Sequence, residues 1–370
     1  MRLGLGIGID KTNIAVINSG LKARFLGTGT QYTQLGPITR QLTATMTGDG
    51  TQATDLLVTK RFAPNYTGDG TLVAAVTAAE FVFDEYSDSL FGISARQLRA
   101  AYSGDDLTIR RSSDNATDDI GFASNLIDSA TASTFIGANN GLVTDFYDQS
   151  ANANDASEST AANQPTLISS GTLQTINSIG ALKFDGSDDR LLVWNNTTAP
   201  AVFQTLGSDL TIVARINGNV FSGSDVSWAS ANTILESRQN IGSGVNVPFS
   251  LGVNASSKLQ MGIDSSGTVE TFASTATIST STDYYFAVTI TGTTVKLFIN
   301  GTLDSTHTIT SATGSRTVGT TASSLTIGVR TRNGGQADAN YFDGKINEIL
   351  LFSAALSDAD TNSIVNDSTL

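Results

Sequence analysis

Cysteine is absent from all 370 residues, which excludes disulfides, thiolate nucleophiles and thiolate metal centres. Histidine occurs once, at His307, so neither a His-rich zinc site nor a Cys/His dyad can be built. Charge is scarce as well: 15% of residues are charged, and 34 acids outweigh 21 Lys and Arg for a net charge of −13. A nucleic acid would be repelled, because its binding draws on basic side chains neutralising phosphates; no nucleic-acid partner is expected. No segment approaches the roughly 20 apolar residues of a membrane span. The opening run Met1 to Asp10 is too short for a signal-peptide core and lacks a small-residue cleavage pattern. The sequence therefore predicts a soluble chain without membrane insertion or conventional secretion.

What fills the chain instead is Ser, Thr, Asn and 35 glycines, the composition of short strands joined by tight turns. Three stretches differ in character. Residues 1–36 alternate Gly with Leu or Ile and have too little apolar bulk to close a core; they are expected to form an arm, or an edge strand of the next domain. Residues 37–83 carry an echo, Thr47-Gly48-Asp49-Gly50-Thr51 recurring as Thr67-Gly68-Asp69-Gly70-Thr71. Asp-Gly between β-prone runs predicts a hairpin turn at each copy, hence a small meander. Residues 84–370 are dense in alternating runs, such as 209–216 and 294–299. The latter run is followed by Asn300-Gly301, a pair that tolerates the positive φ of a type I′ turn. This pattern predicts an all-β sandwich or barrel. Two short helices are expected as connectors. One runs from Asp128 to Ile136, capped by Asp128 and stopped at Gly137. The other spans Ser357 to Val365 behind a Ser-x-x-Asp capping signal.

Two groups of motifs carry a resemblance. Ser94-Ala95-Arg96-Gln97-Leu98, Ile109-Arg110-Arg111-Ser112, Phe146-Tyr147-Asp148-Gln149-Ser150 and the following Asn152-Ala153-Asn154-Asp155 resemble the front of the α-L-arabinofuranosidase B catalytic domain, and equally related domains of tailed-bacteriophage structural proteins. Phe184-Asp185-Gly186-Ser187-Asp188-Asp189, Leu297-Phe298-Ile299-Asn300-Gly301 and Phe342-Asp343-Gly344-Lys345-Ile346 are similar to the closing half of laminin-G-like and pentraxin-like sandwiches. The resemblance implies a concanavalin A-like antiparallel β-sandwich (jelly roll) over 84–370, preceded by a small β domain and an N-terminal arm. Where such domains carry glycine in the Asp-Gln-Ser loop, this chain has Ala151 and Ala153, so Asn152 and Asn154 are expected to supply any left-handed turn. The catalytic carboxylates of the arabinofuranosidases fall on no matching motif.

Individual side chains carry the candidates for function. Acids in strand contexts are Glu236, Asp264, Glu270 and Glu348. Glu236 stands out in Ile234-Leu235-Glu236-Ser237-Arg238, with pairing to Arg238 as the plain alternative to catalysis. Asp145, Asp148 and Asp155 read as a structural loop. Asp185, Asp188 and Asp189 read as a turn, with calcium on oxygen ligands as the competing reading and no cofactor required. The aromatic candidates for stacking on a sugar are Trp228, Tyr284 and Tyr285, while Trp194 is expected in the core. The virion resemblance implies a non-enzymatic structural protein located in the virion. It would join other virion proteins through its N-terminal region, assemble as a homo-oligomer, for which a trimer is expected, and display its sandwich to glycans. The alternatives are an arabinofuranosidase-like glycoside hydrolase and a free carbohydrate-binding module.

Overall fold

The computed structural model describes seven strands between Thr12 and Val76 by their backbone. From Phe81 to Val365 it describes the chain except for 222–231, 242–243, 266–267, 313–315, 317, 319–321 and 332–338. Two compact units result, Met1–Glu85 and Tyr86–Leu370.

In the first unit the strands Thr12–Ala15, Gln31–Leu35 and Gln52–Leu56 pair in parallel, in that order. Ala23–Leu26 pairs in parallel with Leu42–Thr47 in a second sheet. A meander would pair sequence neighbours antiparallel. Here the early strands alternate between two sheets and each joins the strand after next, so the segment expected as an arm already contributes paired strands. The two Thr-Gly-Asp-Gly-Thr copies consequently do different things. The second joins Asn65–Thr67 to Thr71–Val76 as an antiparallel pair closing at Thr67 and Thr71. The first connects strands that lie in different sheets.

The second unit is an antiparallel ladder that closes on itself and lays two sheets face to face. One sheet runs in the order Ser89–Ser94, Asp343–Phe352, Leu210–Gly218, Asp283–Thr291, Thr294–Ile299, Thr302–Thr308. The other runs Thr268–Ala273, Leu259–Ser265, Gly244–Val253, Asn232–Ile241, Ser323–Ile327, Leu191–Thr197. Strands alternate their side chains between faces, and the register shows which face is the core. In the second sheet Leu191, Ile327, Leu235, Leu251, Met261 and Phe272 lie side by side across six strands. In the first sheet Leu351, Ile212, Val288 and Leu297 do the same. All ten belong to one buried cluster, each such side chain stabilising the fold by about 1.5–3 kcal/mol.

The local signals fold as their chemistry dictates. Asn300 and Gly301 adopt φ of 50° and 76°, and the hairpin closes at Ile299 and Thr302. The helix Ser129–Ile136 is capped by Asp128, whose carboxylate accepts from the Thr131 N–H at 3.0 Å; Gly137 ends it at φ 61°. The helix Asp358–Val365 starts behind Ser357, whose hydroxyl oxygen accepts from the Asp360 N–H at 3.1 Å. One expectation fails. Ala153 itself takes the left-handed conformation, at φ 50°, and neither Asn152 nor Asn154 does. The neighbouring Asn154 N–H is fixed on the Asp148 carboxylate at 2.9 Å, which leaves the alanine to make the turn.

Candidate functional site

The outer faces of the two sheets differ. In the second sheet, the row next to the core-facing one reads Thr326, Glu236, Ser250, Gly262 across four strands. Side chains at alternate positions point away from the core, so Arg238 and its register partner Ser324 share this face. These residues are buried although they are polar. Burying a charge is costly unless an opposite charge or hydrogen bonds compensate. Glu236, 1% exposed, has the Arg238 guanidinium 3.7 Å away and the Arg330 Nε 4.0 Å away. Arg330 is itself positioned by a bridge to Ala339, with both backbone N–H···O distances at 3.0 Å. The pairing of Glu236 with Arg238 was legible in the sequence. Arg330, almost a hundred residues downstream, was not.

The other strand acids are committed elsewhere. Glu270 binds a turn: its carboxylate accepts from the N–H groups of Thr310, Ser311 and Ala312 and from the Thr310 hydroxyl. Although partial burial opposes it, these bonds hold its carboxyl down at about 2. Glu348, 1% exposed, lies on the outer face of the first sheet in a register row with Ser94, Arg215 and Tyr285. It accepts from Arg96 Nε at 2.6 Å, Arg96 Nη2 at 3.1 Å, Ser94 Oγ at 2.7 Å and the Tyr285 hydroxyl. Burial alone would raise its pKa, but Arg96 and Arg215 beside it bring the carboxyl down to about 2. The side chain of Asp264 lies outside the described residues.

The aromatic candidates are not gathered into a sugar platform. Tyr285 is 5% exposed, pinned between Glu348 and the Arg215 guanidinium, which lies 4.2 Å from its ring centroid. The segment 94–98 covers it, tied by Gln149 to the carbonyls of Ser94 and Arg96. Its ring is therefore unavailable for stacking on a ligand. Tyr284 points the opposite way and stacks on Phe286 at 5.6 Å, with its hydroxyl accepting from the Ser279 N–H. Trp228 lies outside the described residues. Trp194 is in the core as expected, donating to Ser323 Oγ at 3.0 Å and packing on Phe203.

Asp148 organises its loop, accepting from Gly92 N–H, Ser150 N–H and Oγ–H, and Asn154 N–H. Asp155 in turn accepts from the Asp148 N–H. In the 185–189 turn, ligand atoms of Asp185, Asp188 and Asp189 come within 4.8 Å of one another. Their oxygens largely serve the turn: Asp185 accepts from the N–H groups of Ser187 and Asp188, and Asp189 from that of Asp185. Burial, reinforced by Asp185, pushes the Asp189 carboxyl up to about 8.

An all-β, antiparallel sandwich of this form defines the class, and the model of the concanavalin A-like lectin/glucanases superfamily matches residues 195–361. The front of the same unit is more particular: the model of the α-L-arabinofuranosidase B catalytic domain matches residues 89–182. Among solved structures, an arabinofuranosidase complexed with arabinofuranosyl-α-1,2-xylobiose aligns at 16% identity and a TM-score of 0.54, over 77% of this chain and 63% of that one. A GH54 α-L-arabinofuranosidase soaked with a cyclic sulfate inhibitor aligns at 16% identity and 0.53, over 75% and 62%. A Glu-to-Gln variant of such an enzyme, soaked with 4-nitrophenyl α-L-arabinofuranoside, aligns at 18% and 0.50 over the same shares. The chain thus spans somewhat less than two thirds of these structures. No curated protein matches it. The match of residues 89–182 to a catalytic-domain model overturns the expectation of a non-enzymatic virion protein, and arabinofuranosidases are among the structures that share the fold.

Proposed function

We propose that this chain is a glycoside hydrolase acting on α-L-arabinofuranosides, with Glu236 as one of its two working carboxylates. The observation carrying the proposal is Glu236 itself, on the polar outer face of a sandwich sheet between two guanidinium groups. Glycoside hydrolysis uses a pair of carboxyl groups, one of which acts in its ionised form as nucleophile or base. Two nearby positive charges favour the ionised form of Glu236, suiting it to that role rather than to protonating a leaving group. The small neighbours Ser250 and Gly262 keep bulky side chains off the floor beside it. The sugar is chosen by the match of 89–182 to the arabinofuranosidase B catalytic model.

The test is hydrolysis of 4-nitrophenyl α-L-arabinofuranoside by the full chain, beside a panel of other aryl glycosides, for wild type and Glu236→Gln. Release of nitrophenol from the arabinofuranoside, lost in the variant, supports the proposal. An inert wild type, or a variant as active as wild type, removes it. The partner acid is found by the same assay on a set of Asp→Asn and Glu→Gln variants.

A further inference from the structure

The front of the sandwich holds a carboxyl group that the proposed hydrolysis does not use. Asp106 is wholly buried, and neither of its side-chain oxygens has a hydrogen-bond partner. Its backbone, by contrast, is fixed on both sides. The N–H donates to the Ile120 carbonyl at 2.7 Å, and the carbonyl accepts from the Tyr147 N–H at 2.9 Å. Asp106 thus ties the strand Thr117–Ile120 to the start of the loop 147–155.

Among the described residues no cation reaches the carboxyl. The segment 97–105 contributes Arg99, Tyr102 and Asp105, the loop contributes Tyr147, Asp148 and Asp155, and the strand contributes Asp118 and Asp119. Arg99, the cation of this set, makes no bond to Asp106. Tyr102 lies among the acids: burial first, then Asp155, Asp106, Asp148 and Asp105, push its hydroxyl pKa up. An ionised carboxylate sealed away without donor or counter-charge is far costlier than the neutral acid, so such a group keeps its proton. Burial accordingly lifts the Asp106 carboxyl well above the usual carboxylate range.

The loop anchored here also clasps the segment 94–98. Gln149 donates from Nε2 to the carbonyls of Ser94 and Arg96, and its Oε1 accepts from the Leu98 N–H at 2.7 Å. Tyr147, bonded to Asp106, stands two residues before that clasp. We infer that Asp106 is a proton-operated latch: while neutral it lets the loop close on 94–98, and loss of its proton opens the clasp. The latch is independent of the proposed hydrolysis. Its folded carboxyl titrates above the unfolded value of about 3.9. Its contribution is therefore complete below about pH 4 and is lost as pH rises toward the folded value. Across that span each opening releases one proton, so the open population grows about tenfold per pH unit.

The experiment is amide hydrogen exchange of the full chain from pH 5 to 8, read by mass spectrometry and corrected for the intrinsic pH dependence of exchange. Protection in peptides from 94–106 and 147–155 should fall about tenfold per pH unit, while peptides from the core strand Leu210–Gly218 hold theirs. In Asp106→Asn and Asp106→Ala the fall should vanish. Flat wild-type protection overturns the latch, as does a fall that persists in the variants. An equal fall in the core strand overturns it too, because the whole sandwich would then be losing stability with pH. If one variant fails to fold, the other decides. Failure of both also counts against the latch, since a neutral acid without partners has no bond to lose.

Discussion

Two glutamates, one on the outer face of each sheet, make an instructive pair. Glu236 and Glu348 are equally buried, each beside two arginines. Glu348 is gripped by hydrogen bonds of 2.6–3.1 Å from Arg96 and by two hydroxyl groups. The arginines beside Glu236 stand at 3.7 and 4.0 Å, beyond ordinary hydrogen-bond length though still electrostatically close. The first arrangement fastens the covering segment 94–98 to the sheet. The second sets two guanidinium groups beside a carboxylate on the other sheet. The two acids share residue type and burial and differ in which sheet face and which arginines surround them.

That contrast can be broken by experiment. The largest effect is expected on turnover: Glu236→Gln should lower it by roughly 10³-fold or more in protein that circular dichroism shows to be folded at the assay temperature. A folded variant that keeps its turnover would make Glu236 another structural acid. Next in size, Glu348→Gln should cost about 3–5 kcal/mol of stability, because Arg96 and Arg215 lose their compensating charge; chemical denaturation measures it. Since the folded carboxyl titrates near 2, below its unfolded value, the wild-type advantage is complete above about pH 4.5 and fades as pH falls toward 2. A difference between the two proteins that does not shrink across that window would contradict the ion-pair account.

Asp189 should show the opposite sign. Its folded carboxyl titrates near 8, above the unfolded value, so its contribution is intact at pH below about 4 and is lost as pH rises toward 8. Asp189→Asn should therefore flatten the pH dependence and melt higher than wild type at pH 8, with little change at pH 4. Identical pH profiles would argue against a strained carboxylate in that turn. The smallest effect belongs to Ala153. Replacement by glycine relieves a left-handed alanine and should raise stability by about 0.5–1 kcal/mol, read as a modest rise in denaturation midpoint.

What the sequence disclosed and what it hid follow from the range of the interactions. Asn300-Gly301, the Asp128 cap and the Ser357 signal act within a few residues, and all three fold as read. Alternation identified the core rows for the same reason. Tyr284 and Tyr285 are adjacent aromatics of the same type, yet neighbours on a strand face opposite ways. One packs toward the core and the other lies under a segment nearly two hundred residues earlier in the chain. Periodicity shows which side chains point outward; it is silent on whether a distant segment covers them. The Arg96–Glu348 pair spans 252 residues and leaves no local trace. In the first unit the parallel pairing of alternate strands is likewise non-local, which is why a repeat suited to hairpins made only one. The left-handed turn at Ala153 leaves no mark in the sequence because a hydrogen bond to its neighbour, not its own preference, sets its conformation.

The central claim is that a furanoside is cleaved at Glu236. Its most direct test is a crystal structure of Glu236→Gln soaked with 4-nitrophenyl α-L-arabinofuranoside. The account predicts intact substrate on the polar face, its anomeric carbon within about 3.5 Å of the new amide. Sugar bound on another surface, with the face around residue 236 closed to it, would contradict the account.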